Sequence, residues 1–275
     1  MNAYLELLRP NNGVLAVLGI IIGAIVGATF VTSKATEIVL AIMAAFLING
    51  AGNTINDYFD HNIDKINKPK RPIPSGRINR NTVGIYFFVL IIVSMVLAYF
   101  VSIDFLYLAV INSIVSFVYS WKLKGTPLIG NIVVSWLAAS TFIGGALILQ
   151  TFSSLTPAIL IFAAIGFLGT LSREIFKDVE DVKGDKAHGA KTLPIVIGEQ
   201  SAKFVASFVL LLGIFSLAVP VYRSMFSNFY YIGIVPAIII CLAAIISMKN
   251  PHKSQKLIKF AMYFIFLGFI LGTVL

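Results

Sequence analysis

The sequence predicts an all-α protein, built as a polytopic bundle of membrane-spanning helices. Of its 275 residues, 58% are hydrophobic and only 12% are charged, and the mean hydropathy is +0.92. A soluble globular domain has about 45–50% apolar and about 25% charged residues. The apolar residues form long runs, and the charged residues fall between them. This pattern excludes a soluble single domain and a disordered chain, and the single cysteine excludes a disulfide scaffold.

Nine apolar runs are long enough to cross a bilayer, which requires about 20 residues per helix. They cover residues 13–31, 37–56, 82–103, 105–121, 127–149, 157–177, 202–221, 229–248 and 257–275, and the run 105–121 is at the short limit. Several runs contain glycine, and one contains Pro236, which membrane helices tolerate better than soluble helices do. The sequence therefore predicts nine transmembrane helices.

The basic residues predict the orientation in the membrane. On one side lie 19 of the 21 Lys and Arg residues, whereas only Lys34 and Arg223 lie on the other side. Because positively charged loops stay in the cytoplasm, we expect a multi-pass protein of the cell membrane with a cytoplasmic N-terminus and an external C-terminus. The same bias explains the net charge of +9 without a nucleic-acid partner.

Two acidic segments on the cytoplasmic side repeat each other. The first reads NDYFDHNIDK from residue 56, and the second reads KDVEDVKGDK from residue 177. A shift of 121 residues superimposes Asp57 on Asp178, Asp60 on Asp181, Asp64 on Asp185, Lys65 on Lys186 and Lys70 on Lys191. We therefore expect one domain over residues 1–275 with an internal duplication, whose acidic loops cover 56–81 and 177–200.

The spacing of the carboxylates favours a metal site. Asp57, Asp60 and Asp64 share a face if the second helix continues, and such close like charges repel unless a cation neutralises them. Oxygen ligands without cysteine favour Mg²⁺ over zinc or copper. Two facing clusters would hold Mg²⁺ ions that bridge a polyphosphate. For either segment alone, the alternative is a solvated, charged loop with no binding role. The two copies, whose aspartates align, favour a functional site.

Basic residues near the acidic segments predict phosphate binding, since Arg offers a bidentate fork and Lys a mobile charge. Lys68, Lys70 and Arg71 follow the first segment, Lys186 and Lys191 lie at the end of the second, and Tyr119, Ser120, Lys122 and Lys124 cap the fourth span. The alternative is that these charges only set the topology. We favour that alternative for Lys249, Lys253, Lys256 and Lys259.

The two acidic segments resemble the paired aspartate motifs of the UbiA superfamily of intramembrane prenyltransferases. Residues 56–64 match its NDxxDxxxD motif, and residues 177–185 match its KDxxDxxGD motif. The resemblance covers essentially the whole chain. It implies a helical bundle around a central cavity that opens to lipid and is capped by the two polar loops. It also implies a polyprenyl diphosphate donor, membrane lipid as surroundings, and Mg²⁺ as the cofactor.

The resemblance also implies roles for individual residues. Asn56, Asp60 and Asp64 would hold the diphosphate through Mg²⁺ opposite Asp181 and Asp185, with Asp57 and Asp178 as accessory ligands. We take Asp60, Asp64, Asp181 and Asp185 as the catalytic set. Residues expected to contact the diphosphate are Lys68, Arg71, Tyr119, Ser120, Lys122, Lys186 and Lys191. Arg9 and Asn12 match an RPxN start, and with Lys124 they are expected to bind the acceptor.

Two further strings predict the acceptor. INKPKRPIPSG at 66–76 and GAKTLPI at 189–195 resemble the branch that transfers geranylgeranyl from its diphosphate to geranylgeranylglyceryl phosphate in archaeal ether-lipid synthesis. The surplus of basic residues suits such a lipid-phosphate acceptor. The alternative is an aromatic acceptor of quinone biosynthesis. A transporter is a third possibility, but its ionisable groups should lie near the membrane midplane rather than at one border.

The sequence leaves the general base open. An acceptor hydroxyl would attack the allylic carbon, and either a nearby carboxylate or the released diphosphate would take the proton. His61 is a conceivable base, although a single histidine in a loop is more often solvated.

Overall fold

The computed structural model of the chain describes residues 2–27, 34–187 and 189–274. It is all-helical, with no strand in these three ranges, which confirms the predicted fold class. The α-helices are α1 (Ala3–Leu8), α2 (Pro10–Val26), α3 (Ala35–Phe59), α4 (His61–Asn67), α5 (Arg80–Val101), α6 (Ile103–Val118), α7 (Ile129–Ala146), α8 (Pro157–Ala187), α9 (Leu193–Ile197), α10 (Glu199–Ser216), α11 (Ala218–Tyr222), α12 (Tyr230–Ile246) and α13 (Pro251–Val274).

Seven helical segments are long and apolar enough to cross a membrane, so the chain is a multi-pass membrane protein. They are Ala35–Phe59, Arg80–Val101, Ile103–Leu123, Ile129–Ala146, Pro157–Ala187, Glu199–Tyr222 and Pro251–Thr273. Two shorter apolar helices, Gly13–Val26 and Tyr230–Ile246, coincide with the first and eighth predicted runs. Residues 28–31 of the first run lie outside the described residues. Large apolar side chains such as Phe88 and Phe215 face outward, as a lipid-facing surface requires.

The two parts of the chain that carry the acidic motifs show a similar order of helix contacts. In the first half α2 packs on α3 and α3 on α5, and in the second half α7 packs on α8 and α8 on α10. The halves meet where α2 packs on α7. A Cβ atom at Gly23 would lie 2.1 Å from the Phe142 carbonyl oxygen, and one at Gly145 would lie 2.1 Å from the Ile20 carbonyl oxygen. Glycine is therefore required at both positions, as in other close contacts between membrane helices.

The two acidic motifs lie mainly on helices, where the sequence predicts loops. Helix α3 extends beyond the predicted run to Phe59, Asp60 forms the junction, and α4 follows directly. The second motif lies entirely within α8, so the loop predicted from residue 177 is wrong up to Ala187. Phe176, Val179 and Val182 are buried at intervals of three residues, and their packing continues the helix through the charged sequence.

Candidate active site

A cavity of 420 Å³ lies between α2, α3, α6, α7, α8 and α13. Its polar end is lined by Asn49, Asn53 and Asn56 of α3 and by Arg173 and Lys177 of α8. Its apolar end is lined by Phe105, Phe142, Phe266 and Phe269. The volume is in the range of small-molecule sites. The cavity therefore suits an amphiphile with a polar head near the acidic motifs and a hydrocarbon chain inside the bundle.

In the first acidic motif, each aspartate is paired with a basic side chain. Asp57 and Asp64 are only 4% and 3% exposed. Arg71 bridges them, with its Nη1 atom 3.1 Å from Asp57 Oδ1 and 2.5 Å from Asp64 Oδ2, and Arg9 also bonds to Asp57. Buried carboxylates require such compensation because desolvation penalises an unpaired charge.

Arg9 reaches this cluster from the short junction between α1 and α2. Its φ angle is 48°, in the left-handed region that non-glycine residues seldom occupy. The backbone N–H of Arg9 donates to the Glu6 carbonyl oxygen at 3.2 Å, and this bond ends α1. The Arg9 side chain lines the cavity as well as contacting Asp57. The junction thus brings a basic group from the start of the chain into the candidate site.

Lys124 bonds to two residues of the first motif. Its Nζ atom lies 3.2 Å from Asn56 Oδ1 and bonds to Asp60. It also lies close enough to Asp185 for the two charges to interact. In the second motif Asp178 accepts a hydrogen bond of 2.8 Å from Asn131 Nδ2. Asp181 is exposed, and neither Asp181 nor Asp185 forms an ion pair with any residue the structure describes.

The fourth span ends in one π-helical turn, Tyr119–Leu123, and π-turns often occur at functional sites. Tyr119 and Ser120 line the cavity, and the Ser120 hydroxyl is buried without a partner among the described residues. Lys122 points elsewhere, with its Nζ atom 4.1 Å from the centroid of the Trp121 ring. The turn therefore brings two of these three predicted residues to the cavity.

Three of the remaining predicted residues, all of them lysines, lie at the surface. Lys68, Lys186 and Lys191 are exposed and form no ion pair within the three described ranges. The backbone N–H of Lys191 donates to the Gly125 carbonyl oxygen at 2.8 Å, which ties the segment after α8 to the segment after the π-turn. The side chain of Asn12 lies outside the described residues. His61 is not among the residues that line the cavity.

The donor set suits Mg²⁺ only in part. Within residues 2–27, 34–187 and 189–274, no three carboxylate, imidazole or thiol groups converge as a complete metal site. Mg²⁺, however, is usually held by one or two carboxylates together with substrate phosphates. The oxygen ligands of the two motifs fit that arrangement if a diphosphate supplies the remaining ligands.

Several residues at the cavity were not predicted as site residues. Asn49 and Asn53 share a face of α3 with Asn56, and this spacing could have identified them. Glu174 is 6% exposed and accepts hydrogen bonds from Arg173 at 2.7 Å and from Lys177 at 3.2 Å. The signal for this triad was a charged group inside an apolar run, where ionisable residues are costly.

Lys259 is a further missed residue. Its position near the end of a span predicts a role in topology only, but the structure places it in the lining of the cavity.

Comparison with known proteins agrees with this geometry. Residues 16–270 match the UbiA prenyltransferase family. A digeranylgeranylglyceryl phosphate synthase of Methanosphaera stadtmanae is 37% identical over 279 residues, which cover 99% of this chain and 100% of the relative. A solved structure of a digeranylgeranylglyceryl phosphate synthase superposes with a TM-score of 0.82 at 32% identity, covering 99% of this chain and 98% of that chain.

A second solved structure, a UbiA homolog from Archaeoglobus fulgidus bound to DMAPP and Mg²⁺, shares the fold. Its TM-score is 0.74 at 20% identity, and the match covers 99% of each chain. The resemblance seen in the two aspartate motifs is confirmed by these matches over the full chain. The chain belongs to the UbiA prenyltransferase family.

Proposed function

We propose that this prenyltransferase transfers a geranylgeranyl group from its diphosphate to the hydroxyl of geranylgeranylglyceryl phosphate, with Mg²⁺ as cofactor. The main observation in favour is the cavity, whose polar end includes Asn56 and Lys177, the first residue of each acidic motif, and whose opposite end is apolar. The similarity to synthases named for this reaction extends over the whole chain at 37% identity. Both substrates are amphiphiles with an anionic head and a long hydrocarbon chain, which this cavity suits.

The donor diphosphate would bind between the two motifs. Asn56, Asp60, Asp64, Asp181 and Asp185 would hold Mg²⁺, with Asp57 and Asp178 as accessory groups. Bound there, Mg²⁺ would neutralise the charge that develops on the leaving diphosphate. The Archaeoglobus fulgidus homolog is bound to DMAPP and Mg²⁺, which supports Mg²⁺ as the cofactor.

Basic side chains of the chain would complete the diphosphate site. Lys124 and Arg71 neutralise the carboxylates of the first motif in this structure. When a diphosphate binds, the N–H groups of Arg71 would donate to its oxygens, together with the hydroxyls of Tyr119 and Ser120. Lys68, Lys122, Lys186 and Lys191 would add to the positive potential at the entrance.

The apolar walls would protect the reacting carbon. As the bond between C1 of the allyl group and the diphosphate oxygen breaks, positive charge spreads over the allyl group. Phe142 and Phe266 line the cavity, and aromatic faces stabilise a desolvated cation by about 2 kcal/mol. Exclusion of water from this part of the cavity would prevent hydrolysis. The acceptor hydroxyl then forms the ether bond, and its proton leaves to a carboxylate or to the released diphosphate.

The acceptor would approach from the Arg9 side of the cavity, with Asn12 and Lys124 as further candidate contacts. Arg9 lines the cavity and is therefore able to reach a bound head group.

The orientation in the membrane forms part of the proposal. Nine spans, comprising the seven long helices and the two shorter ones, would place the N-terminus and both motifs in the cytoplasm and the C-terminus outside. The distribution of 19 of 21 basic residues on one side supports this topology. The two halves would form a single duplicated domain.

A direct assay tests the proposed reaction. Purified protein in detergent is incubated with Mg²⁺, geranylgeranyl diphosphate, and either geranylgeranylglyceryl phosphate or an aromatic acceptor, and the products are identified by mass spectrometry. We expect the doubly prenylated glyceryl phosphate. Prenylation of aromatic acceptors alone would overturn the acceptor assignment, and no transfer to any acceptor would overturn the proposed function.

A further inference from the structure

One wall of the cavity is formed by α8 and α13, which run antiparallel in a register fixed by three contacts. The ring centroids of Phe162 and Phe269 are 4.5 Å apart, a Cβ atom at Gly169 would lie 3.6 Å from Met262 Cε, and Glu180 Oε1 lies 2.6 Å from His252 Nδ1. In this register, Arg173 on α8 and Lys259 on α13 lie at the same level of the bundle. That level is about one helical turn from the contact between Gly169 and Met262, toward the Glu180–His252 end. Both residues line the cavity.

The charges of these two residues are incompletely compensated. Arg173 shares Glu174 with Lys177, so this triad carries one net positive charge. The Nε atom of Arg173 is buried and has no hydrogen-bond partner among the described residues. Lys259 is half-buried and forms no ion pair in the described part of the chain. Lys259 lies about 12 Å along α13 from the start of that helix. An uncompensated charge at this position inside the bundle is costly.

An apolar stripe on α13 begins one helical turn from this pair of cations, toward the C-terminal end of the helix. Met262, Phe266 and Phe269 follow Lys259 on α13 at intervals of three and four residues, and all of them line the cavity. The wall therefore presents a cationic patch at one level and a hydrocarbon surface at deeper levels. A lipid with an anionic head and one long chain would satisfy both.

The patch is separate from the aspartate motifs. Asp181 and Asp185 lie about 12–18 Å farther along α8 than Arg173. A diphosphate held at the motifs would leave Arg173 and Lys259 available for a second anion. The distance leaves room for a glyceryl unit between the two phosphate groups.

The geometry points to a subsite in which Arg173 and Lys259 bind the phosphate monoester of the acceptor lipid, while the α13 stripe holds its hydrocarbon chain. This inference rests on the proposed function and adds two residues to the acceptor candidate Arg9. Lys259 would be a specificity-determining residue, since it would distinguish a phosphorylated glyceryl acceptor from a neutral one.

The test compares Lys259→Met with Lys256→Met, an exposed lysine one turn earlier on the same helix. Loss of one charged contact should raise the KM for geranylgeranylglyceryl phosphate at least about tenfold. The KM for geranylgeranyl diphosphate should not change, and Lys259→Arg should restore most of the acceptor affinity. Geranylgeranylglycerol, which lacks the phosphate, should react equally with wild type and Lys259→Met. Lys256→Met should behave as wild type throughout.

The outcomes separate this inference from the proposed function. If wild type prenylates geranylgeranylglyceryl phosphate and Lys259→Met keeps its acceptor KM, the subsite is wrong and the function stands. An increase confined to the donor KM would also overturn the subsite. If the wild-type protein neither prenylates this lipid nor gains thermal stability from it, both proposals fail.

Discussion

At the scale of single residues, the carboxylates of the two motifs differ in their surroundings but should be equally necessary. Asp64 is buried and paired with Arg71, whereas Asp185 is half-buried and forms no ion pair with any described residue. Replacing Asp64 or Asp185 by Asn should each lower kcat about 10²- to 10³-fold, the usual effect of removing one group that stabilises transition-state charge. Single-turnover assays with the purified variants check this.

The matched control for these variants is Glu180→Gln. Glu180 lies on α8 between Asp178 and Asp181 and bonds to His252 and Gln255 rather than facing the cavity. It should retain near-normal turnover. Near-normal turnover in either aspartate variant would contradict a site built from both acidic motifs. The corresponding motif would then be a solvated, charged segment with no role in the reaction.

The sequence predicts much of the site but not how its charges are compensated. The motif spacing predicts Asp60 and Asp64, and the family resemblance implies Tyr119 and Ser120, which line the cavity. The sequence does not reveal that Lys124 bonds to Asn56 and Asp60, because that contact depends on the path of the chain after the π-turn. Lys259 was missed for a related reason: a basic residue near the cytoplasmic end of a span looks the same whether it faces water or a cavity.

At the scale of helices, the contact between α2 and α7 should tolerate no added side-chain atom. A Cβ atom at Gly145 would lie 2.1 Å from the Ile20 carbonyl oxygen, so Gly145→Ala must displace one helix. Overpacking of this kind costs about 1–3 kcal/mol. We expect a lower melting temperature in detergent. Gly213→Ala is the control, because its Cβ atom would meet Leu168 at 3.6 Å, an ordinary contact. Equal melting temperatures for the two variants would contradict this packing.

The helices themselves were largely predictable, and the main error has a physical explanation. Within the described residues each of the nine apolar runs contains a helix, because a helix satisfies the backbone hydrogen bonds of an apolar segment internally. The boundary at residue 177 was wrong because the charged sequence that follows resembles a loop in composition. The buried positions of Val179 and Val182 continue the helical period through it, and Val179 packs in one cluster with residues of α9 and α10.

At the scale of the whole molecule, activity should depend on Mg²⁺ while folding should not. Excess chelator should abolish turnover and added Mg²⁺ should restore it, because carboxylates and diphosphate otherwise repel each other. The helical content measured by circular dichroism should not change, since Arg9, Arg71 and Lys124 already compensate the first motif. Full turnover in chelator would contradict the proposed chemistry, and loss of helix would contradict the ion pairs.

The two acidic motifs differ in how their helices continue. The second motif lies on one uninterrupted helix of 31 residues. The first motif is divided between α3 and α4, which meet at Asp60. The N–H of Asp60 still donates to the Asn56 carbonyl oxygen at 2.9 Å, and the N–H of Asp64 donates to the Asp60 carbonyl oxygen at 2.8 Å, so helical hydrogen bonds continue across the junction. Arg71 bonds to Asp57 of α3 and to Asp64 of α4, and it therefore ties the two segments of the first motif together.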